Sequence, residues 1–86
     1  MRLDKFLKLT RLIKRRTIAK DISIAGKVIV DKRTVKPSYN VKVNDILELY
    51  LGEYIVMVKV LTIDEKELRS DPQKGYELLS RTTNAN

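Results

Sequence analysis

Cysteine and histidine are both absent from the 86 residues. Without cysteine the chain has no disulfide, no thiol nucleophile and no thiolate metal ligand, and it suits a reducing cytoplasm. The lack of histidine removes the usual general base and the commonest metal ligand. Serine and threonine hydroxyls are present, but no histidine is there to activate them. The carboxylates fall mostly in turns or in the charged 64–71 stretch. No glycine-rich phosphate loop occurs. These gaps argue against an enzyme and give no reason to expect a cofactor or a metal. No apolar run approaches the ~20 residues of a membrane span. The basic N-terminus lacks the apolar stretch that would make it a signal peptide.

What remains is a short, charged and moderately apolar chain. At 43% hydrophobic it has enough apolar residues to fold, and its length suits one domain with a small core. Eighteen Lys and Arg oppose eleven Asp and Glu, a net charge of +7. Residues 1–20 carry that whole surplus: Arg2, Lys5, Lys8, Arg11, Lys14, Arg15, Arg16 and Lys20 face a single acid, Asp4. The other residues carry equal numbers of each sign.

Hydrophobic spacing organises the chain. Leu3, Phe6 and Leu7 stand at i, i+3, i+4 and predict a helix over about 3–9, with Arg2, Lys5 and Lys8 on another face. Leu12 and Ile13 then interrupt the basic residues, which fits a buried turn or a frayed helix end. Ile18, Ala19, Ile22 and Ala25 predict a second helix, with Thr17 as its N-cap or Arg16 already in its first turn, closed by Gly26. The period then changes to two. Strands are predicted at 27–31, at Thr34–Val35, at Ile46–Leu51 and at Tyr54–Ile63. A turn is predicted at Asn44-Asp45, and Gly52-Glu53 joins the last two strands as a hairpin.

From Asp64 the chain is charged. Asp71-Pro72 suits the start of a helix that Tyr76, Leu78 and Leu79 would dock, although Gly75 weakens it. The last residues read as a frayed tail. The expected fold is α+β: two short N-terminal helices packed on a small curled antiparallel sheet of three to five strands. Residues 1–63 form the expected domain. Residues 64–86 form a charged extension, in part helical and in part disordered.

The basic residues are interleaved with Leu3, Phe6, Leu7, Leu12, Ile13 and Ile18. They are thereby mounted on a core and do not form a loose arm. Such a surface suits phosphates, whose neutralisation releases counterions, and arginine adds bidentate contacts and base stacking. A membrane surface competes as a partner, but the apolar face of the first helix is short and is needed for the core. Asp4 can complement the helix dipole or orient a neighbouring arginine. Among the tyrosines, Tyr39 is the best candidate to stack on a base, because it sits in a loop beside Lys36 and Ser38.

The run MRLDKFLKLTRLIKRRTIAKDISIAGKVIVD, followed by VKPSYNVKVNDILEL, resembles the S-four RNA-binding domain, also called the αL motif. The matching pieces are R-L-D-K-F-L, R-x-x-A, G-x-V-x-V, K-P-S-x-x-V and D-x-L, over residues 1–51. Two departures stand out. Asp31-Lys32 replaces a frequent Asn-Gly, and Asn44 replaces a frequent glycine. The resemblance implies RNA contacts from Arg2, Lys5, Arg11, Lys14, Arg15, Arg16 and Lys20, with Lys8 beside them and Asp4 as the motif's acid.

As a stand-alone chain of this size and opening, it resembles the bacterial ribosome-quality-control factors of this family. That implies large-subunit rRNA and tRNA as partners, on large ribosomal subunits with stalled peptidyl-tRNA. It also implies a tailing protein of the RqcH type that adds alanine to the nascent chain, and a monomer off the ribosome. The alternatives are a ribosome-recycling factor of the heat-shock type, a DNA-binding helix-turn-helix with the 17–25 helix as reader, and a protein-docking module using the 46–63 hairpin.

Overall fold

The computed structural model describes residues 1–13, 28–51 and 54–83. The predicted second helix over 17–25, its Gly26 terminus and the Gly52-Glu53 connection lie outside these described residues. The described elements run α1 (Leu3–Leu9), β1 (Val28–Val30), β2 (Arg33–Thr34), β3 (Ile46–Leu51), β4 (Tyr54–Val60), α2 (Glu65–Ser70), a 3₁₀ turn (Pro72–Gly75) and β5 (Tyr76–Thr83). Five strands form one antiparallel sheet in the order β2-β1-β3-β4-β5. An α+β fold is therefore established, with α1 as the first of its helices.

Strand register explains the core. Val28 pairs with Leu49 and Val30 with Leu47, while Leu47 pairs with Val58 and Leu49 with Val56. Because side chains alternate across a strand, these residues share one face, and all are buried. Leu3, Phe6 and Leu7 of α1 join them in a single cluster with Ile13, Val41, Val60 and Leu68. Ile13 is therefore a buried turn residue. Ile29, Glu48 and Met57 occupy the opposite face and are partly exposed.

Helix α1 has no side-chain cap at its start. The loop before β3 supplies the missing acceptors: the Leu3 N–H donates to the Tyr39 carbonyl at 2.8 Å and the Asp4 N–H to the Pro37 carbonyl at 3.2 Å. The Lys36-Pro37-Ser38 break in strand pattern is thus a strap that satisfies the first turn of the helix. Asn44 holds a left-handed φ of 77° in the turn before β3, a conformation asparagine tolerates. Asp31 and Lys32 also take positive φ, 52° and 65°. They build the mirror-image turn that Asn-Gly would build with less strain.

The C-terminal stretch departs most from expectation. Asp64 caps α2, its carboxylate accepting from the backbone of Lys66 and Glu67. The strand predicted to reach Ile63 accordingly stops at Val60. Asp71 and Pro72 do start a helical turn, but it is a single 3₁₀ turn ending at Gly75. The chain then extends as β5 and pairs along the whole of β4, with a bulge between Met57 and Val58. Thr82 and Thr83, read as tail, belong to that strand; residues 84–86 lie outside the described residues. Gly75 leaves no room for a side chain: a Cβ there would lie 2.5 Å from Leu68 Cδ2 and 2.7 Å from Thr10 Cγ2.

Candidate nucleic-acid interface

Five of the nine predicted site residues fall in the described part: Arg2, Asp4, Lys5, Lys8 and Arg11. Lys14, Arg15, Arg16 and Lys20 lie outside it. Helix α1 divides its residues cleanly. Leu3, Phe6 and Leu7 are buried to zero exposure, whereas Lys5 and Lys8 face solvent.

Arg2 immediately precedes α1 in extended conformation and bridges to Asn40. Its guanidinium forms a two-pronged pair with Asp4, Nε to Oδ1 at 3.2 Å and Nη2 to Oδ2 at 3.3 Å. The Lys5 N–H donates to the same Asp4 Oδ1 at 2.8 Å. The Asp4 side chain is only 8% exposed, against 58% for Arg2. A buried carboxylate needs such partners, so the pair is held and Arg2 is presented to solvent in one direction. Of the two readings of Asp4, orientation of a neighbouring arginine has its geometry here, and the first-turn position also complements the helix dipole.

Lys5 is held differently. Its Nζ pairs with Glu65 of α2, which also accepts from Arg69 at 3.2 Å. These two cations hold the Glu65 carboxyl below its ordinary value, the Lys5 hydrogen bond first. Lys8 and Arg69 line one shallow cleft with Lys5 and Leu9. The cationic surface of α1 therefore continues onto α2, which the sequence pattern did not mark.

Arg11 closes α1. Its φ of 58° is left-handed, and its N–H donates to the Lys8 carbonyl at 3.1 Å. Glycine usually fills this position because an L side chain there is strained. Beyond it, Arg11 and Leu12 face the β4–β5 end of the sheet across a cleft that includes Tyr54, Tyr76 and Arg81. Arg81 Cζ lies 4.4 Å from the Tyr54 ring centroid. Sequence reasoning missed this pair because β5 was not foreseen, and nothing local links positions so far apart.

Tyr39 is not the open stacking platform its loop position suggested. It is half-buried against the core, and its hydroxyl donates to Asp45 Oδ2 at 2.8 Å. Burial and the Asp45 carboxylate raise its pKa to about 12. Asp45 also accepts from the Lys42 N–H, so the tyrosine fixes the turn before β3. Tyr50, on the opposite sheet face, bonds Glu48 at 3.0 Å, which raises its pKa as well.

Among the described residues there is no group of three or more acidic side chains that would hold a metal ion. None of the described helices is long and apolar enough to cross a membrane.

The site is thus an exposed arginine braced by a buried acid, at the head of a cationic helix mounted on a small sheet. The chain belongs to the S4 domain family, whose pattern covers residues 1–47. It is similar along nearly its whole length to proteins named RQC P-site tRNA stabilizing factor. The one from Streptococcus pneumoniae is 42% identical over 95% of this chain and 93% of that protein. The one from Bacillus subtilis is 38% identical over 92% of each. Among solved structures, trimeric Heat Shock Protein 15 of Vibrio cholerae superposes with a TM-score of 0.81 at 26% identity, covering 93% of this chain and 82% of that one.

Proposed function

We propose that this protein is a non-catalytic RNA-binding factor of ribosome quality control that acts in the cytoplasm. It binds the large ribosomal subunit carrying stalled peptidyl-tRNA and stabilises that tRNA in the P site. Its contacts are to large-subunit rRNA and to the tRNA. By holding the tRNA it supports alanine tailing of the nascent chain by an RqcH-type partner. The observation that carries this reading is similarity along nearly the full chain to P-site tRNA stabilizing factors.

The geometry supplies a physical rationale. A stabiliser of bound tRNA must hold two RNA partners without distorting either. Cations on a packed helix lose less freedom on binding than cations on a loose arm. Arg2, braced by Asp4, meets that requirement, with Lys8 and Arg11 beside it, and Lys14, Arg15, Arg16 and Lys20 are assigned to RNA contact from the sequence. Residues 1–63 carry the RNA contacts in this reading.

The test is co-sedimentation with purified large subunits, with and without peptidyl-tRNA, across a salt series. Binding should favour the tRNA-bearing subunit and fall steeply with salt. Arg16→Ala should lose binding while retaining the parent melting temperature, and Arg2→Ala should lose binding and melt lower, because it leaves the buried Asp4 carboxylate without its cation. Undiminished sedimentation of both variants would remove these residues from the site. Equal binding to vacant subunits would remove peptidyl-tRNA from the ligand and overturn the tRNA-stabilising role.

A further inference from the structure

The Arg11 cleft has a composition that the α1 surface does not. Besides apolar Leu12, Leu51 and Val56, it is lined by two tyrosines and two arginines: Tyr54, Tyr76, Arg11 and Arg81. No carboxylate is among the described residues that line it. Its volume is about 260 Å³, below the roughly 300–1,000 Å³ of a drug-sized pocket.

Register puts the stacked pair on the core-ward face. Arg81 pairs with Val56, and Tyr54 stands two residues before Val56 on the same strand. Tyr54 nevertheless remains 40% exposed. The guanidinium lies over the aromatic ring, so the two form a two-layer stack at the end of the core, in a cleft that Arg11 also lines. A left-handed, strained backbone position is filled there by arginine.

We propose that this cleft is a nucleotide subsite: one unpaired ribonucleotide stacks its base on the Tyr54–Arg81 pair and places its phosphate against Arg11. The inference rests on the RNA-binding reading above and extends it to β5. Aromatic rings and arginine planes accept any base face, whereas a paired base keeps its faces inside the helix. The ligand is therefore single-stranded or flipped-out RNA. The α1 cations fit a phosphate backbone of any structure, so the two surfaces divide the work of holding a folded RNA that carries an unpaired base.

The test uses the full chain and a fluorescein-labelled short single-stranded RNA, followed by anisotropy across a salt series, with the same sequence as a duplex for comparison. Tyr54→Leu should weaken single-strand binding by about 5- to 100-fold, the size of one lost base stack. It should leave the salt slope and duplex binding unchanged. Tyr54→Phe should restore binding. Arg81→Gln should weaken binding and lower the salt slope by about one. Arg11→Gly should do the same while melting at or above the parent temperature, because glycine relieves the positive φ.

Single-strand binding by Tyr54→Leu and Arg81→Gln within twofold of the parent, with Arg2→Ala and Arg16→Ala defective on large subunits, would overturn the subsite and leave the RNA-binding reading standing. If the parent binds neither the RNA nor large subunits, the RNA-binding reading falls and the subsite falls with it.

Discussion

The two ends of the chain handle charge in opposite ways. Residues 1–13 carry four cations and one acid, and that acid is buried against Arg2. Residues 64–83 carry five acids and four cations, and they use most of the acids locally. Asp64 and Asp71 cap helical turns, while Glu65 pairs with Arg69. The first region points its charge outward, and the second balances its own. Where they touch, Glu65 takes Lys5 from the outward set. A cation on a basic surface is thus not automatically available to RNA. Arg2 is aimed by an acid it does not leave, whereas Lys5 is held by an exposed acid that competes with phosphate.

The comparison can be broken hardest at the seam between the regions. Leu68 is the buried residue of the otherwise charged α2. Leu68→Ala should cost about 2–5 kcal/mol in denaturant unfolding, as for other fully buried leucines. Gly75→Ala should cost about 1–3 kcal/mol by forcing Leu68 and Thr10 apart. An unchanged unfolding midpoint for Gly75→Ala would show that the two ends are not tightly packed.

Asp4→Ala sharpens the contrast at the basic end. It removes the acceptor of Arg2 and of the Lys5 N–H, and should cost about 1–3 kcal/mol. It should also reduce large-subunit binding despite raising the net positive charge. Stronger binding by Asp4→Ala would mean that charge counts and orientation does not.

Alkali tests the turn that straps α1. The Tyr39 pKa is raised from 10.0 to about 12 in the folded chain. The folded state therefore keeps its proton more tightly than the unfolded chain does. That contribution is complete below pH 10 and lost as pH rises toward 12. Unfolding followed over this window should show a larger loss of stability than Tyr39→Phe shows, the Tyr50 contribution remaining in both.

The smallest effect is expected at Glu65. Its folded pKa is lowered, so its contribution is present above the ordinary value of 4.5 and fades as pH falls below it. Exposed pairs of this kind contribute little. Glu65→Gln should leave the neutral-pH melt unchanged, flatten the acid limb and modestly strengthen RNA binding by freeing Lys5. Weaker binding instead would place Glu65 on the side of the ligand.

How much of this was legible in advance differs along the chain. The face of α1, the span Ile46–Leu51 and the Asn44 turn were readable, because each has a local cause in periodicity or backbone preference. Asp4 could be narrowed to two roles, and its burial beside Arg2 was needed to see its geometry. Tyr39 misleads because a loop position does not by itself mean exposure. Its hydroxyl meets Asp45, six residues on, only when the strap closes over α1. Leu68 carried no signal, being one leucine in EKELRS.

The sequence alone determined which residues of the first region enter the core and which carry charge, since helical spacing and charge count are properties of neighbours. Tertiary structure decided the fate of residues 76–83. Most of β5 is exposed, with no alternating apolar pattern to announce a strand. It is a strand because the β4 edge offers a row of unpaired N–H and C=O groups, and pairing satisfies both chains. That pairing brings Arg81 onto Tyr54, and no local pattern in the sequence encodes that contact.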